Sequence, residues 1–258
     1  MRLNDQVAVV TGGGRGIGKA IALRLAQEGA HLVLTGPEAD ELNETADQIE
    51  ASGRQTLVVR TDVTVEEDVV RMAQETLAKF DHVDILINNA GMIGPTASIT
   101  NVTRADWDQV LAVNLTGAFL CAKAMLPNMI SRRCGKIVNI SSIAGKVGYP
   151  LRSPYACSKW GLIGLTLTMA AEMGEHNIQV NVICPGPVEG ERIQDVFERR
   201  AVELNQSVDQ IRRDYIAKTL LGRLVQAEDV AAMAAFLASD EAQNITGQTL
   251  DVTAGFGI

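Results

Sequence analysis

The sequence is poor in positive charge: its 258 residues hold 23 Lys and Arg against 31 Asp and Glu, a formal net charge of −8. A nucleic-acid surface needs a clustered positive field, so that class of partner is excluded, and any anionic small ligand must be held by local geometry. Long hydrophobic runs are also missing, since no apolar stretch approaches the roughly 18 residues of a bilayer span. The N-terminal residues run directly into a strand-like segment without a signal-peptide core, so a cytoplasmic location and no membrane partner are the expectations. Cysteine is sparse. Cys121, Cys134, Cys157 and Cys184 are scattered, form no CxxC, and stand at no metal-ligand spacing from His31, His82 or His176. A disulfide framework and a metal site therefore both drop out, and the four thiols read as small core residues. Repeats and low-complexity tracts are absent from a composition of 47% hydrophobic and 21% charged residues, which is ordinary for a globular chain.

What is present is a recurrence of short Val/Ile/Leu-rich runs: VAVVTG at 7–12, HLVLTG at 31–36, TLVVRTDV at 56–63, VDILINNAG at 83–91, KIVNISS at 136–142, IQVNVICPG at 178–186 and QTLDVT at 248–253. Continuous apolar character predicts strands covered on both faces, as in a parallel sheet. Helical patterns lie between them. Ile17, Ile21 and Leu25 repeat every four residues before Gly29, Leu42, Ala46 and Ile49 precede Gly53, and Thr64 with Glu67 reads as a capping box ahead of Val69, Val70, Ala73 and Leu77. The βαβα alternation predicts an α/β, doubly wound parallel sheet of the Rossmann type with right-handed crossovers, its ligand lying beyond the carboxyl ends of the strands. No linker divides the chain, so residues 1–258 are assigned to one domain. Residues 187–226, long and highly charged, are expected to form a helical substrate lid within it.

The first strand runs into TGGGRGIG, where Gly12, Gly16 and Gly18 flank Arg15 and Ile17. Such glycines permit a tight turn and let backbone N–H groups approach a pyrophosphate, while the following helix N-terminus adds positive potential. Ordinary turns also use glycine, and it is the strand-before, helix-after context that favours a nucleotide. Asp62 and Val63 end the third strand, where Asp62 either accepts from an adenine amino group or only ends the strand. Asn88, Asn89, Ala90 and Gly91 end the fourth with a backbone suited to run beside a flat ligand, or with a plain turn.

Tyr155 and Lys159, at i and i+4, share a face if the segment is helical. A phenol with a pKa near 10 is a poor base at neutral pH, but a cation held close stabilises the phenolate, and bringing it down two or three units takes about 3–4 kcal/mol. Such a tyrosine passes a proton to or from a secondary alcohol; a surface Tyr–Lys pair is the plainer reading. Five motifs in order now make nearly the whole chain similar to the short-chain dehydrogenase/reductase family, in particular to its members of the 3-oxoacyl-[acyl-carrier-protein] reductase type: TGGGRGIG, NNAG, NISS, YACSK and the Pro185–Gly186 strand end, with Asn114 in VNLTG matching the family's helix asparagine.

The resemblance implies a nicotinamide cofactor and a hydride exchanged between it and a ketone or secondary alcohol. It implies Tyr155 as general acid/base, Lys159 lowering the phenol pKa and bonding the nicotinamide ribose, Ser142 polarising the carbonyl and Asn114 holding a proton-relay water. Ser141 faces the other side if the strand continues. The competing substrate classes are a 3-oxoacyl thioester and a small polar hydroxy compound. A nucleotide-binding redox sensor or assembly protein without catalysis is the alternative, and a nucleotide-sugar epimerase or dehydratase is a third reading that the chain's length disfavours.

Gly36 and Pro37 stand where NAD-preferring members carry an acidic residue and NADP-preferring ones often an Arg. Arg15 and Thr35 favour a 2′-phosphate and hence NADP, with Glu38 on the side of NAD. The family commonly forms homotetramers through its terminal strand, and DVTAGFGI departs from the usual Asp-Gly-Gly ending. The arginine-rich 187–226 segment reads as a solvated helix face, or else Arg152 or Arg192, with Lys146 a weaker choice, clamps an anionic group on the small-molecule substrate.

Overall fold

A computed structural model describes residues 1–257. Seven strands form one parallel sheet: β1 (Val7–Thr11), β2 (His31–Gly36), β3 (Thr56–Arg60), β4 (Ile85–Asn88), β5 (Gly135–Ile140), β6 (Ile178–Pro185) and β7 (Thr249–Val252), in the order β3-β2-β1-β4-β5-β6-β7. Alternate residues feed two cores because successive side chains in a strand face opposite sides. Val10, Leu34 and Ile87 pack with α1 (Gly16–Gln27) and α9 (Ala227–Ala238) through Ile21, Leu25, Val230 and Ala234. Val9, Val33 and Leu86 pack on the other face with α3 (Glu66–Phe80), α5 (Gly117–Arg132) and α6 (Ser153–Met173) through Met72, Met125 and Met169. The winding reverses between β1 and β4, which opens the ligand crevice at their carboxyl ends.

Several local expectations are corrected. Strands β1 and β4 end earlier than their apolar runs: past Thr11 the amides of Gly12 and Gly13 both turn to the Thr35 carbonyl, and past Asn88 those of Asn89 and Ala90 turn to Thr11 Oγ1. The capping box at Thr64 is not formed. Helix α3 begins at Glu66 with no side-chain cap, and Thr64 instead donates through its N–H and Oγ1 to Asp62 Oδ1, at 2.9 and 2.7 Å. Cys121 and Cys184 are buried, but Cys134 and Cys157 are exposed, one in the turn after α5 and the other on the outer side of α6. No metal-holding cluster occurs among the described residues.

Residues Arg104–Arg132, comprising α4 (Arg104–Leu111), a π turn (Ala112–Thr116) and α5, are long and apolar enough to cross a membrane by composition, contrary to the sequence expectation. They form a core helix: Cys121, Ala122, Met125 and Met129 are buried against the sheet. The 187–226 segment folds into α7 (Glu191–Leu204) and α8 (Val208–Ala217) around Phe197, Ile211 and Tyr215, with Ile143 and Phe256 beneath them. α2 (Ala39–Glu50) completes the helices flanking β2 and β3.

Candidate active site

At the end of β1 the glycines are required by space and backbone conformation. Gly12 and Gly16 have φ of 65° and 52°, and a Cβ on Gly18 would collide with the Gly12 carbonyl and Asn89 Nδ2. A Cβ at Gly16 would meet nothing within 4 Å, so the turn opens outward there. Helix α1 starts at Gly16 with extended Arg15 as its N-cap and no capping side chain, which leaves the first-turn N–H groups of Gly16, Ile17 and Gly18 directed at the opening. This cradle fits a pyrophosphate.

Thr11, which sequence reading passed over, ties the turn to β4. Its Oγ1 accepts from the N–H of Asn89 and of Ala90 at 3.0 and 2.9 Å. Asn89 Nδ2 donates to the carbonyls of Thr11 and Gly12 at 2.9 and 3.1 Å. The Asn89 amide is therefore scaffolding, and its backbone, with that of Ala90 and Gly91, lines the crevice. Asn88 lies in the core and donates to Asn139 Oδ1, which continues through Asn139 Nδ2 to Thr166 on α6. Pro185 closes β6, and Gly186 touches Thr253 so closely that a Cβ would sit 2.9 Å from its Cα.

Farther along the crevice, β5 and α6 bring Ser142, Tyr155 and Lys159 together. Gly145 makes the approach possible, since a Cβ there would lie 2.8 Å from the Lys159 carbonyl. Ser141 faces away and donates to the Lys159 carbonyl at 2.9 Å. Ser142 Oγ accepts from Ala144 N–H at 3.1 Å and sits beside the Tyr155 phenol, where it favours the ionised form. Burial nevertheless pushes the Tyr155 phenol above its ordinary value, with the Arg192 and Arg152 guanidiniums also opposing that rise. Lys159 Nζ lies 5.8 Å from the Tyr155 ring centre and donates to the Ile140 carbonyl at 2.8 Å. Burial, reinforced by the Arg192 charge, pulls the lysine down to about 7.

Asn114 sits in the π turn, a wider turn often found at functional sites. Its side chain is occupied: Oδ1 accepts from Met92 N–H at 2.8 Å, and Nδ2 donates to the Met92 carbonyl and to Ser158 Oγ, both at 2.9 Å. Ser158 donates in turn to the Tyr155 carbonyl. Asn114 thus clamps the loop after β4 to the helix carrying Tyr155. A Cβ on Gly91 would come within 3.2 Å of Asn114 Oδ1 and 3.6 Å of Lys159 Nζ, a tight fit beside the amide.

At the other end of the crevice Arg15 is exposed, 3.5 Å from Glu41. Thr35 is corrected: it is fully buried with its hydroxyl unpartnered, closed off from a cofactor phosphate. Gly36 has room for a side chain. Its ladder partner is Arg60, which donates to the Pro37 carbonyl at 3.1 Å and, with Pro37, Asp62, Asp68 and Arg71, lines a groove of about 410 Å³. Strand register would have been needed to find Arg60 from the sequence. Asp62 is exposed in this groove, while Val63 is buried against Gly117.

On the substrate side Arg192 is exposed and donates to the Gly91 carbonyl. Arg152, the other clamp candidate, is buried, 1% exposed. Lys146 is engaged with Asp251 at 2.6 Å. Most of the remaining arginines of the 187–226 segment do form a solvated face, as Arg212 pairs with Glu189 and Arg199 with Asp195.

Comparison with known proteins matches residues 6–201 to the short chain dehydrogenase family. A short-chain dehydrogenase/reductase of Armillaria gallica is 40% identical, covering 97% of this chain and 95% of its own. A 3-oxoacyl-[acyl-carrier-protein] reductase of Thermotoga maritima is 34% identical over the full length of both. Among solved structures, an NAD+-bound xylitol dehydrogenase superimposes with a TM-score of 0.95 at 32% identity over 98% of this chain and 99% of its own. An actinorhodin polyketide ketoreductase with NADPH gives 0.94 at 32% identity, over 98% and 97%.

Proposed function

The chain belongs to the short-chain dehydrogenase family and is a nicotinamide-dependent oxidoreductase; from that premise we propose that it interconverts a ketone and a secondary alcohol, with the Tyr155 phenol moving the proton. The observation that carries this reading is the meeting of Ser142, Tyr155 and Lys159 beside the bare backbone of Gly91. The nicotinamide, when bound, supplies or accepts the hydride. Its pyrophosphate belongs on Gly12, Gly16, Ile17 and Gly18, its adenine near Asp62 and Val63, and its ribose by Lys159, with Asn89, Ala90, Gly91, Pro185 and Gly186 lining the path between.

Ser142 Oγ already accepts from Ala144 N–H, so its own hydrogen is available to the substrate oxygen. Tyr155 Oη holds its proton at neutral pH because burial disfavours the phenolate, and in ketone reduction it donates that proton to the same oxygen. Lys159 steadies the donor's charge on loss of the proton. Asn114 acts as a positioning residue through Met92 and Ser158. In oxidation the steps reverse, with the phenolate accepting.

For the cofactor we favour NADP. Gly36 offers no acidic side chain to the ribose hydroxyls, and Arg60 stands near the strand end with exposed Arg15, whose pairing with Glu41 is loose at 3.5 Å. Arg192, close to Gly91, is placed to meet the substrate. The substrate classes under consideration remain a 3-oxoacyl thioester and a small polar hydroxy compound. A panel of both, followed at the reduced-nicotinamide absorbance with each cofactor separately, tests the reading. Turnover with NADPH is expected. No turnover with either cofactor would contradict the activity, and an equal or better response to NADH would contradict the preference.

A further inference from the structure

The guanidinium of Arg152 is a buried cation with no anion. It is 1% exposed, its Nη1 donates only to the neutral carbonyls of Ile93 and Gly94 at 3.4 and 3.2 Å, and its Nη2 has no partner. It forms no ion pair among the described residues, and the groups whose charges act on it most strongly are Tyr149, Arg200, Tyr215 and Arg199, none of them a carboxylate. Arg152 is also the N-cap of α6, so the helix dipole adds further positive potential where no side chain caps the first turn. A lone buried charge is unfavourable, and two positive features converge here.

The surroundings supply donors as well. Six buried side-chain polar atoms lack partners among the described residues, and Thr96 Oγ1, Arg152 Nη2, Ser153 Oγ and Arg200 Nε belong to one neighbourhood. The bond from Ala97 N–H to the Leu151 carbonyl holds the Thr96 segment beside Arg152 and Ser153. Leu151, at φ 66°, is in the left-handed region, a conformation that costs an L-residue energy and concentrates at functional sites. Tyr155 is three residues farther along the same helix and feels the Arg152 charge. Over the cluster lie α7 and α8: Arg200 donates to the Pro150 carbonyl at 2.8 Å and stacks over Tyr149 and Tyr215, whose hydroxyls are 2.8 Å apart.

We propose that Arg152, with Thr96 and Ser153, forms an oxyanion site beside the α7–α8 contacts on Tyr149 and Pro150 that takes the charged end of the substrate, so that this enzyme acts on oxo or hydroxy compounds bearing a carboxylate or phosphate. The proposal deepens the oxidoreductase reading and rests on it for the identity of the ligand as substrate. Access requires release of the Arg200–Pro150 and Tyr149–Tyr215 contacts, and their re-formation buries the anion. An Arg152 that merely props the Ile93–Gly94 loop would serve stability and make no distinction between charged and neutral ligands.

The test uses the full-length enzyme with oxo carboxylates having one to four carbons between the two groups, their methyl esters, and matching phosphate monoesters. The ratio of kcat/KM for anion over ester is expected to favour the anion by about 10- to 100-fold, and Arg152→Gln should reduce that ratio by a similar factor, with Arg152→Lys recovering part of it. Independently, malonate or inorganic phosphate should raise the melting temperature of the cofactor-free wild type and have a smaller effect on Arg152→Gln or, should that variant fold poorly, on Arg152→Lys; the stronger response identifies the oxyanion. An unchanged ratio, or equal melting shifts in wild type and variant, overturns the site. Anion-dependent stabilisation that needs Arg152, in a protein that turns over none of these compounds but does turn over neutral ketones or alcohols, would overturn the site's role in substrate binding while leaving the hydride-transfer reading intact.

Discussion

Tyr155 and Lys159 change each other's chemistry less directly than their spacing suggests. The i, i+4 relation on α6 holds, but burial opposes charge on both: the phenol is pushed above its usual range and the lysine falls to about 7. The phenol therefore keeps its proton through neutral pH, the state that ketone reduction consumes. Oxidation needs the phenolate, which a raised pKa makes scarcer at neutral pH and more abundant as pH rises. The predicted outcome is that kcat/KM for alcohol oxidation climbs as pH rises above neutrality while kcat/KM for reduction does not rise with it. Matched pH–rate profiles in the two directions check this, and an oxidation rate already level by pH 7 would contradict it. The Tyr-x-x-x-Lys face was legible from residue types alone. The state of Arg152 was not, because a sequence cannot show that a guanidinium is enclosed, or that Thr96 and Ser153 lack partners beside it.

At the scale of elements, the strands and helices α1 to α3 followed from apolar runs and periodicity, whereas α4, α5 and α9 did not, and the ends of elements depended on tertiary partners. Thr64 belongs to a turn on Asp62 and caps nothing, and Thr11 reaches across to β4 where the motif NNAG alone gave no hint of it. The π turn at Asn114 was likewise invisible in VNLTG, since it exists to bring an amide between Met92 and Ser158. Helices α5 and α6 also present Phe119, Trp160 and Leu167 half-exposed, an apolar surface that an isolated chain does not need. We propose that this surface packs on a second copy within a homotetramer. Trp160→Glu should then lower the sedimentation coefficient of the purified protein, and sedimentation as a monomer by the wild type would exclude the assembly.

For the whole molecule, alternating strands and helices led to the parallel sheet, and right-handed crossovers put the ligand crevice at the β1–β4 reversal. The segment 187–226 could be seen as a departure from regular spacing. Its arginines could not be sorted: Arg199 and Arg212 are paired with acids on the outside, while Arg200 stacks over tyrosines beneath the helices. The long apolar stretch through α4 and α5 shows the opposite limit, for only packing against the sheet separates a core helix from one able to cross a bilayer.

The proposed chemistry needs one arrangement, a buried phenol able to exchange its proton with a substrate oxygen while the cofactor is held independently at the glycine turn. The most direct measurement compares wild type with Tyr155→Phe for single-turnover rate and for cofactor affinity by fluorescence titration. The account predicts a rate loss of about 10²- to 10⁴-fold with cofactor affinity nearly unchanged. A Tyr155→Phe enzyme that keeps its rate within a few-fold of wild type would contradict it.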